Sequence, residues 1–116
     1  MEHVVVMNPC PCCGYLVFDE PPGSYDICPI CSWEDDLSQL RFPVTTGANH
    51  VSLIDAQRNY ARDGVCESRL HSHVRQPKDS DVRDPQWRPI DERKDNLERP
   101  IDGVEYGSTY PPDGTL

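Results

Sequence analysis

Two short runs in this chain carry the same chemistry. Cys10-Pro11-Cys12-Cys13-Gly14 and Cys28-Pro29-Ile30-Cys31-Ser32 both read C-P-x-C followed by a small residue, and fourteen residues lie between Cys13 and Cys28. A C-x-x-C turn aims two sulfurs at one point. Two such turns supply four, the donor set of a tetrahedral thiolate site with metal–sulfur bonds of about 2.3 Å for zinc. Proline narrows the conformations of each turn, and a small residue after the second cysteine tolerates unusual backbone dihedrals. Cys10, Cys13, Cys28 and Cys31 are therefore the expected ligands of one Zn2+ per chain, with iron as the alternative metal. A closed four-thiolate site offers no open position to water or substrate, so its expected role is structural and the chain is not expected to be an enzyme.

Two further cysteines fall outside this pattern. Cys12 could replace Cys10 or Cys13, but only the 10/13 choice reproduces the spacing of 28/31. It reads as a small turn residue or, beside a cation that lowers thiol pKa values, as a redox handle. Cys66 reads as a buried small hydrophobe, with a Cys12–Cys66 link as the other possibility. Six cysteines also suit a small secreted disulfide framework, but the paired C-x-x-C spacing favours metal. His71 and His73 form an H-x-H that would share a face on a strand; with no second cluster nearby it reads as a surface pair. His3 and His50 stand alone.

The elements that must position the cysteines follow from local chemistry. The valines in residues 3–8 suit a short strand. Tyr15-Leu16-Val17-Phe18 is rich in β-formers, Glu20-Pro21-Pro22-Gly23-Ser24 is a turn, and Tyr25-Asp26-Ile27 reads as a return strand delivering Cys28. The expected fold is a small α+β metal-stabilised domain: a rubredoxin-like zinc ribbon with two C-P-x-C knuckles on a β-hairpin, one helix and an extended C-terminal tail. Trp33 is expected to cover the metal site, since a dry shell protects thiolates. Ser52 is a fitting N-cap, Asp55 completes a weak capping box, Leu53, Ala56 and Tyr60 share a face with Ile54 and Ala61 beside it, and Gly64 ends the helix.

After about residue 76 the character changes: six of the twelve prolines fall there, with dense mixed charge and no sustained periodicity. Arg88-Pro89-Ile90-Asp91 recurs as Arg99-Pro100-Ile101-Asp102, too few copies for a repeat fold. The expected organisation is a cysteine-rich zinc-ribbon domain over 1–76 and a Pro-rich charged tail over 77–116, anchored through Trp87, Ile90, Leu97, Ile101, Val104, Tyr106 and Tyr110.

At 116 residues with a modest apolar fraction, the chain cannot bury a large core, and metal would substitute for missing hydrophobic area. The formal net charge is −9. Residues 1–64, with nine acids and three bases, hold −6 of it, and 65–116, with eleven acids and eight bases, hold −3. Nucleic acid is thereby disfavoured as a partner, and another protein, a basic one in the sharper reading, is favoured. Solubility is the plainer reading of the same charge. The N-terminal run through Met7 lacks the features of a signal peptide, and no stretch approaches the roughly 20 apolar residues of a membrane span. The expectation is a soluble cytoplasmic protein that does not engage membrane.

The run Cys10-Pro11-Cys12-Cys13-Gly14-Tyr15, then Tyr25-Asp26-Ile27-Cys28-Pro29-Ile30-Cys31, Trp33-Glu34-Asp35-Asp36 and the Ser52–Cys66 helix resembles the bacterial cysteine-rich CPCC family over about residues 8–76. The resemblance implies a small metal-binding domain without a settled activity. By analogy, single-domain bacterial proteins of this kind sometimes serve as immunity proteins beside toxins. The sequence is thus read as a zinc-stabilised acidic module that binds protein, with an immunity protein neutralising a basic toxin as its sharpest form. Glu34, Asp35, Asp36 and Trp87 are its candidate partner-binding residues. A rubredoxin-like iron protein for electron transfer, or a metal-dependent enzyme using the acidic triplet as a second metal site, are the alternatives.

Overall fold

The computed structural model describes residues 6–95. Its elements are small: β1 (Asn8–Pro9), β2 (Leu16–Phe18), α1 (Leu37–Arg41), α2 (Leu53–Asp63) and a 3-10 helix over Ser68–His73. Regular structure is scarce because the four sulfurs organise the core instead. Cys10, Cys12, Cys13, Cys28, Ile30, Cys31, Trp33 and Leu53 are all fully buried, in one cluster with Phe18, Leu40, Ala56 and Cys66. Trp33 sits in that cluster, and its indole Nε1 is buried without a hydrogen-bond partner.

The sheet differs from the expected hairpin. β2 pairs antiparallel with β1, not with Tyr25-Asp26-Ile27. The return segment pairs instead with the residues just beyond the second cysteine turn. Tyr25 N–H donates to the Asp35 carbonyl, Asp35 N–H to the Asp26 carbonyl, and Ile27 bridges Glu34. Each cysteine pair thus closes a miniature hairpin of its own. The physical reason lies in the turns themselves: Cys10 N–H donates to the Tyr15 carbonyl and Cys28 N–H to the Trp33 carbonyl, so each cysteine turn brings its own two flanks into register. The Asp35 carboxylate reinforces the choice by accepting from the Gly23 and Ser24 amides and the Ser24 hydroxyl. Val6 lies outside any strand, and the strand expectation for Val4 and Val5 falls outside the described residues.

α2 forms where its caps demand. The Ser52 hydroxyl accepts from the Asp55 amide at 3.2 Å. Gly64 takes the left-handed conformation (φ 77) and donates its amide to the Tyr60 carbonyl. Leu53, Ile54, Ala56 and Gln57 are the buried residues of α2, whereas Ala61 is exposed. α1 was not foreseen: five residues are too few to show a period. It exists because Asp36 caps it, accepting from the Ser38 amide and hydroxyl. His71 and His73 lie on the 3-10 helix rather than a strand, and both are exposed.

A buried polar network joins α1 to the loop before α2. The fully buried Gln39 donates to the Thr45 and Val51 carbonyls and accepts from the amide and side chain of Asn49. Asn49 in turn bonds both backbone groups of Glu34. Satisfied networks of this kind specify one arrangement because each broken bond leaves a polar group unpaired in a dry interior.

Residues 82–90 return to the first cysteine turn: Leu16 N–H donates to the Val82 carbonyl, Asp84 N–H to the Gly14 carbonyl, and Tyr15 bridges Arg83. These contacts cross the proposed division at residue 76. Trp87 and Ile90 are half-buried, Ile90 packing against the core; the other expected anchors, Leu97 to Tyr110, lie outside the described residues. Among the described residues, no helix is long and apolar enough to cross a membrane.

The residues after the two cysteine pairs make a direct test of the backbone argument. Gly14 (φ 83) and Ser32 (φ 73) both occupy the left-handed region. A Cβ at Gly14 would lie 2.5 Å from Trp87 Cδ2. Gly14→Ala is therefore expected to cost at least about 2 kcal/mol, combining backbone strain with displacement of the indole. Ser32→Gly, which relieves strain without adding atoms, is expected to stay within about 1 kcal/mol of wild type. Urea melts of the two variants check the contrast, and equal losses would contradict it.

Candidate metal centre

The two turns repeat one hydrogen-bond scheme. In the first, Gly14 N–H donates to the Cys10 carbonyl (2.7 Å) and Cys10 N–H to the Tyr15 carbonyl (2.9 Å). In the second, Ser32 N–H donates to the Cys28 carbonyl (2.8 Å) and Cys28 N–H to the Trp33 carbonyl (2.9 Å). The left-handed residue after each second cysteine lets its amide turn back onto the first. This is why a small side chain sits there in both copies.

The turns face each other so that Cys10 Sγ lies 3.6 Å from Cys31 Sγ and Cys13 Sγ 3.7 Å from Cys28 Sγ. All four sulfurs lie within 4.8 Å of one another, and all four residues are buried. A tetrahedral ion with arms of about 2.3 Å needs sulfurs about 3.8 Å apart, so the donor set fits a four-thiolate metal. The amide of Ile30 points at Cys28 Sγ (3.4 Å), a donor suited to a thiolate. As thiols the four compete for charge: burial pushes Cys10 and Cys31 well up, whereas hydrogen bonds from Cys10, Cys13 and Cys31 hold Cys28 well down. A divalent cation bound by the four sulfurs would displace their protons.

All six cysteines are free of disulfides. Cys12 is fully buried yet stands outside the four-sulfur group, and burial pushes its thiol up. Burial likewise pushes Cys66 up to about 12, and the Cys66 amide donates to the Cys31 carbonyl.

The acidic triplet is not an exposed patch. Asp35 is 2% and Asp36 4% exposed, and only Glu34 is partly open. Asp35 gathers the 23–24 turn, while Asp36 caps α1 through one oxygen and takes the Ala48 amide through the other (2.9 Å). As candidate partner-binding residues these two are corrected: their oxygens are committed to the chain's own amides and hydroxyls. Trp87, the fourth candidate, lays its ring on Gly14 and donates Nε1 to the Pro11 carbonyl (2.9 Å).

Two positions escaped sequence reasoning. Gln57, on the buried face of α2, donates to the Pro11 carbonyl and accepts the Ile90 amide, tying helix, metal turn and C-terminal segment together. A polar side chain interrupting an apolar stripe was the available signal. Arg83 donates Nε to the Cys13 carbonyl (2.8 Å), with its guanidinium 4.9 Å from the Tyr15 ring centroid and 5.1 Å from that of Trp87. Nothing local in the sequence announces that seat.

Two expectations follow. Cys28→Ser removes a ligand, and the variant is expected to lose metal and most of its folded signal, since structural metal contributes on the order of 10 kcal/mol. Cys12→Ala is expected to keep full metal content, as elemental analysis of both proteins checks. For Asp36, burial disfavours the charge, but the hydrogen bonds from Ala48 and Ser38 outweigh it and hold the carboxyl below its ordinary 3.8. Its folded pKa is depressed, so its stabilisation is present above that ordinary value and lost as pH falls through the folded one. The stability gap between wild type and Asp36→Asn, measured by urea melts from pH 7 down, is expected to shrink below about pH 4.

Among known proteins, the family described as Cysteine-rich CPCC matches residues 8–81, a span that contains both cysteine turns, α1 and α2. No curated protein matches the chain. The matched span covers well over half of the sequence and centres on the four-sulfur site, and the chain belongs to the cysteine-rich CPCC family.

Proposed function

We propose that this protein is a zinc-stabilised binding module in which two rubredoxin-like knuckles hold a structural ion and the outer side of the second knuckle meets a basic protein partner. The observation that carries the structural role is the closure of the site: four buried sulfurs lie within 4.8 Å of one another, and among the described residues no other His, Cys, Asp or Glu joins the group. Zinc suits such a site because it has no redox chemistry to protect against and no geometric demand beyond four sulfurs.

The partner surface is argued from exposure and charge. Tyr25 and Ile27 are 59% and 61% exposed, large apolar side chains held out by the pairing that closes the second knuckle. Asp19, Glu20 and Asp26 are exposed in the same stretch, and Glu34 is partly so. Ile27 and Glu34 also edge a hollow of 380 Å³ floored by Cys28, Pro29 and Ser32, with Leu70 and His73 among the residues on its far side. Apolar anchors ringed by acids suit a partner presenting an apolar residue among Lys and Arg, with the charges steering encounter. Neutralisation of a basic toxin by an immunity protein is the sharpest form of this reading. Asp35 and Asp36 contribute by shaping the 23–27 segment rather than by touching the partner.

The test has two readouts on one preparation. Elemental analysis under reducing conditions is expected to give one zinc per chain; a red protein carrying iron would transfer the site to electron transfer, and no metal would remove it. The full chain and a Tyr25→Ala/Ile27→Glu variant are then used as bait side by side. A basic protein is expected on the wild type alone, released by rising salt. Identical captures on both baits would overturn the proposed surface.

A further inference from the structure

The two knuckles share one internal design, but the rest of the chain treats them differently. Three carbonyls of the first turn are taken by distant donors. Pro11 accepts from Gln57 Nε2 and Trp87 Nε1, Cys13 from Arg83 Nε, and Gly14 from the Asp84 amide. Three of these four bonds come from residues 83–87, just past the end of the family match at residue 81. The Trp87 ring lies flat on Gly14, close enough that a Cβ there would sit 2.5 and 2.6 Å from two of its carbons. The Arg83 guanidinium lies near the rings of Tyr15 and Trp87, bringing a cation to the turn that carries Cys10 and Cys13. The segment is fixed again further on, where the Ile90 amide reaches Gln57 and Arg88 forms a two-pronged pair with Asp95. Among the described residues, the second turn receives the Cys66 amide on Cys31 and the Arg75 amide on Pro29, Asn49 bonds both backbone groups of Glu34 just beyond it, and the 380 Å³ hollow borders its outer side.

We propose that residues 82–90 are a strap that locks the first cysteine turn, so that metal enters and leaves through the second. The inference rests on the metal reading above. An ion held by four sulfurs departs stepwise, and a turn must swing outward for its two sulfurs to let go. Swinging the first turn breaks the strap's three hydrogen bonds to it and lifts the indole off Gly14. Swinging the second breaks two amide bonds and moves toward the hollow that Glu67, Arg69, Leu70 and His73 also line. Arg83 adds a charge term, because four thiolates around a divalent cation carry two net negative charges and a guanidinium nearby opposes loss of the ion–thiolate unit.

The experiment uses the full chain loaded with zinc. Release to an excess of chelator is timed for wild type, Trp87→Ala, Arg83→Lys and, as a control away from the turn, Arg58→Ala. Samples taken during release are treated with a maleimide, and the labelled cysteines are located by peptide mass. In the wild type, Cys28 and Cys31 are expected to label before Cys10 and Cys13. Trp87→Ala is expected to speed release at least tenfold and abolish that order. Arg83→Lys, which keeps the charge but loses the planar fork, is expected to speed it severalfold, and it serves as the decisive variant if Trp87→Ala does not fold. Arg58→Ala is expected to behave as wild type. Release within twofold of wild type in both strap variants, with the labelling order intact, overturns the strap while leaving the metal site standing. A wild-type chain that carries no metal overturns both.

Discussion

Four sulfurs from two distant turns have to meet within one coordination sphere, and most of what surrounds them follows from that requirement. The sulfurs converge only if each turn is rigid, which is why each closes on itself through two backbone hydrogen bonds and a left-handed residue. Convergence also requires the turns to face each other. β1 and β2 hold one, the 25–28 and 33–35 segments hold the other, and α2 packs where both can rest on it. A chain of this size has little apolar area to spend on such alignment. The cysteines themselves make up half of the buried core cluster.

Away from the sulfurs, the fold relies on buried polar side chains in place of a larger apolar core. Gln39, Asn49, Asp35, Asp36 and Gln57 are all nearly inaccessible, and each bonds backbone groups of loops that have no sheet or helix to satisfy them. Gly47 belongs to the same scheme, since a Cβ there would come within 2.5 Å of the Asp36 carboxylate. A loop-rich domain must account for every buried amide and carbonyl, and side chains do for these loops what ladders do elsewhere.

What could be read from the sequence was whatever is local. The C-P-x-C repeat announced the sulfur site, because spacing and turn chemistry are properties of five consecutive residues. Ser52 and Gly64 announced both ends of α2 for the same reason. The hairpin was misjudged because Tyr15–Phe18 and Tyr25–Ile27 look like partners by composition, while the choice of partner is made by which ends the turns bring together. The acidic triplet was misjudged because charge alone does not tell a solvated carboxylate from one that caps its own chain. Asp36 followed two residues later by Ser38 was a capping signal, but α1 is too short to confirm it by periodicity. Arg83 and Trp87 were legible as residues and illegible as contacts: their seats on Cys13 and Pro11 are tertiary facts about a turn some seventy residues upstream.

The repeat of the two knuckles and the inequality of their surroundings bear on how such a domain divides its labour. Duplicated local sequence produced duplicated local geometry, down to matching hydrogen bonds and matching positive φ at Gly14 and Ser32. The rest of the chain broke the symmetry by adding material to one side only. Glycine, the smaller of the two residues, stands on the turn where an indole lies against the backbone, and serine, itself buried, on the turn that borders the hollow. That assignment makes physical sense in one direction. A ring can lie flat on a glycine but not on a β-carbon, whereas the second turn has no such demand and can carry a side chain despite the dihedral cost. Exposed Tyr25 and Ile27 belong to the open side as well. One knuckle is therefore built into the body of the protein, and the other is left as its face.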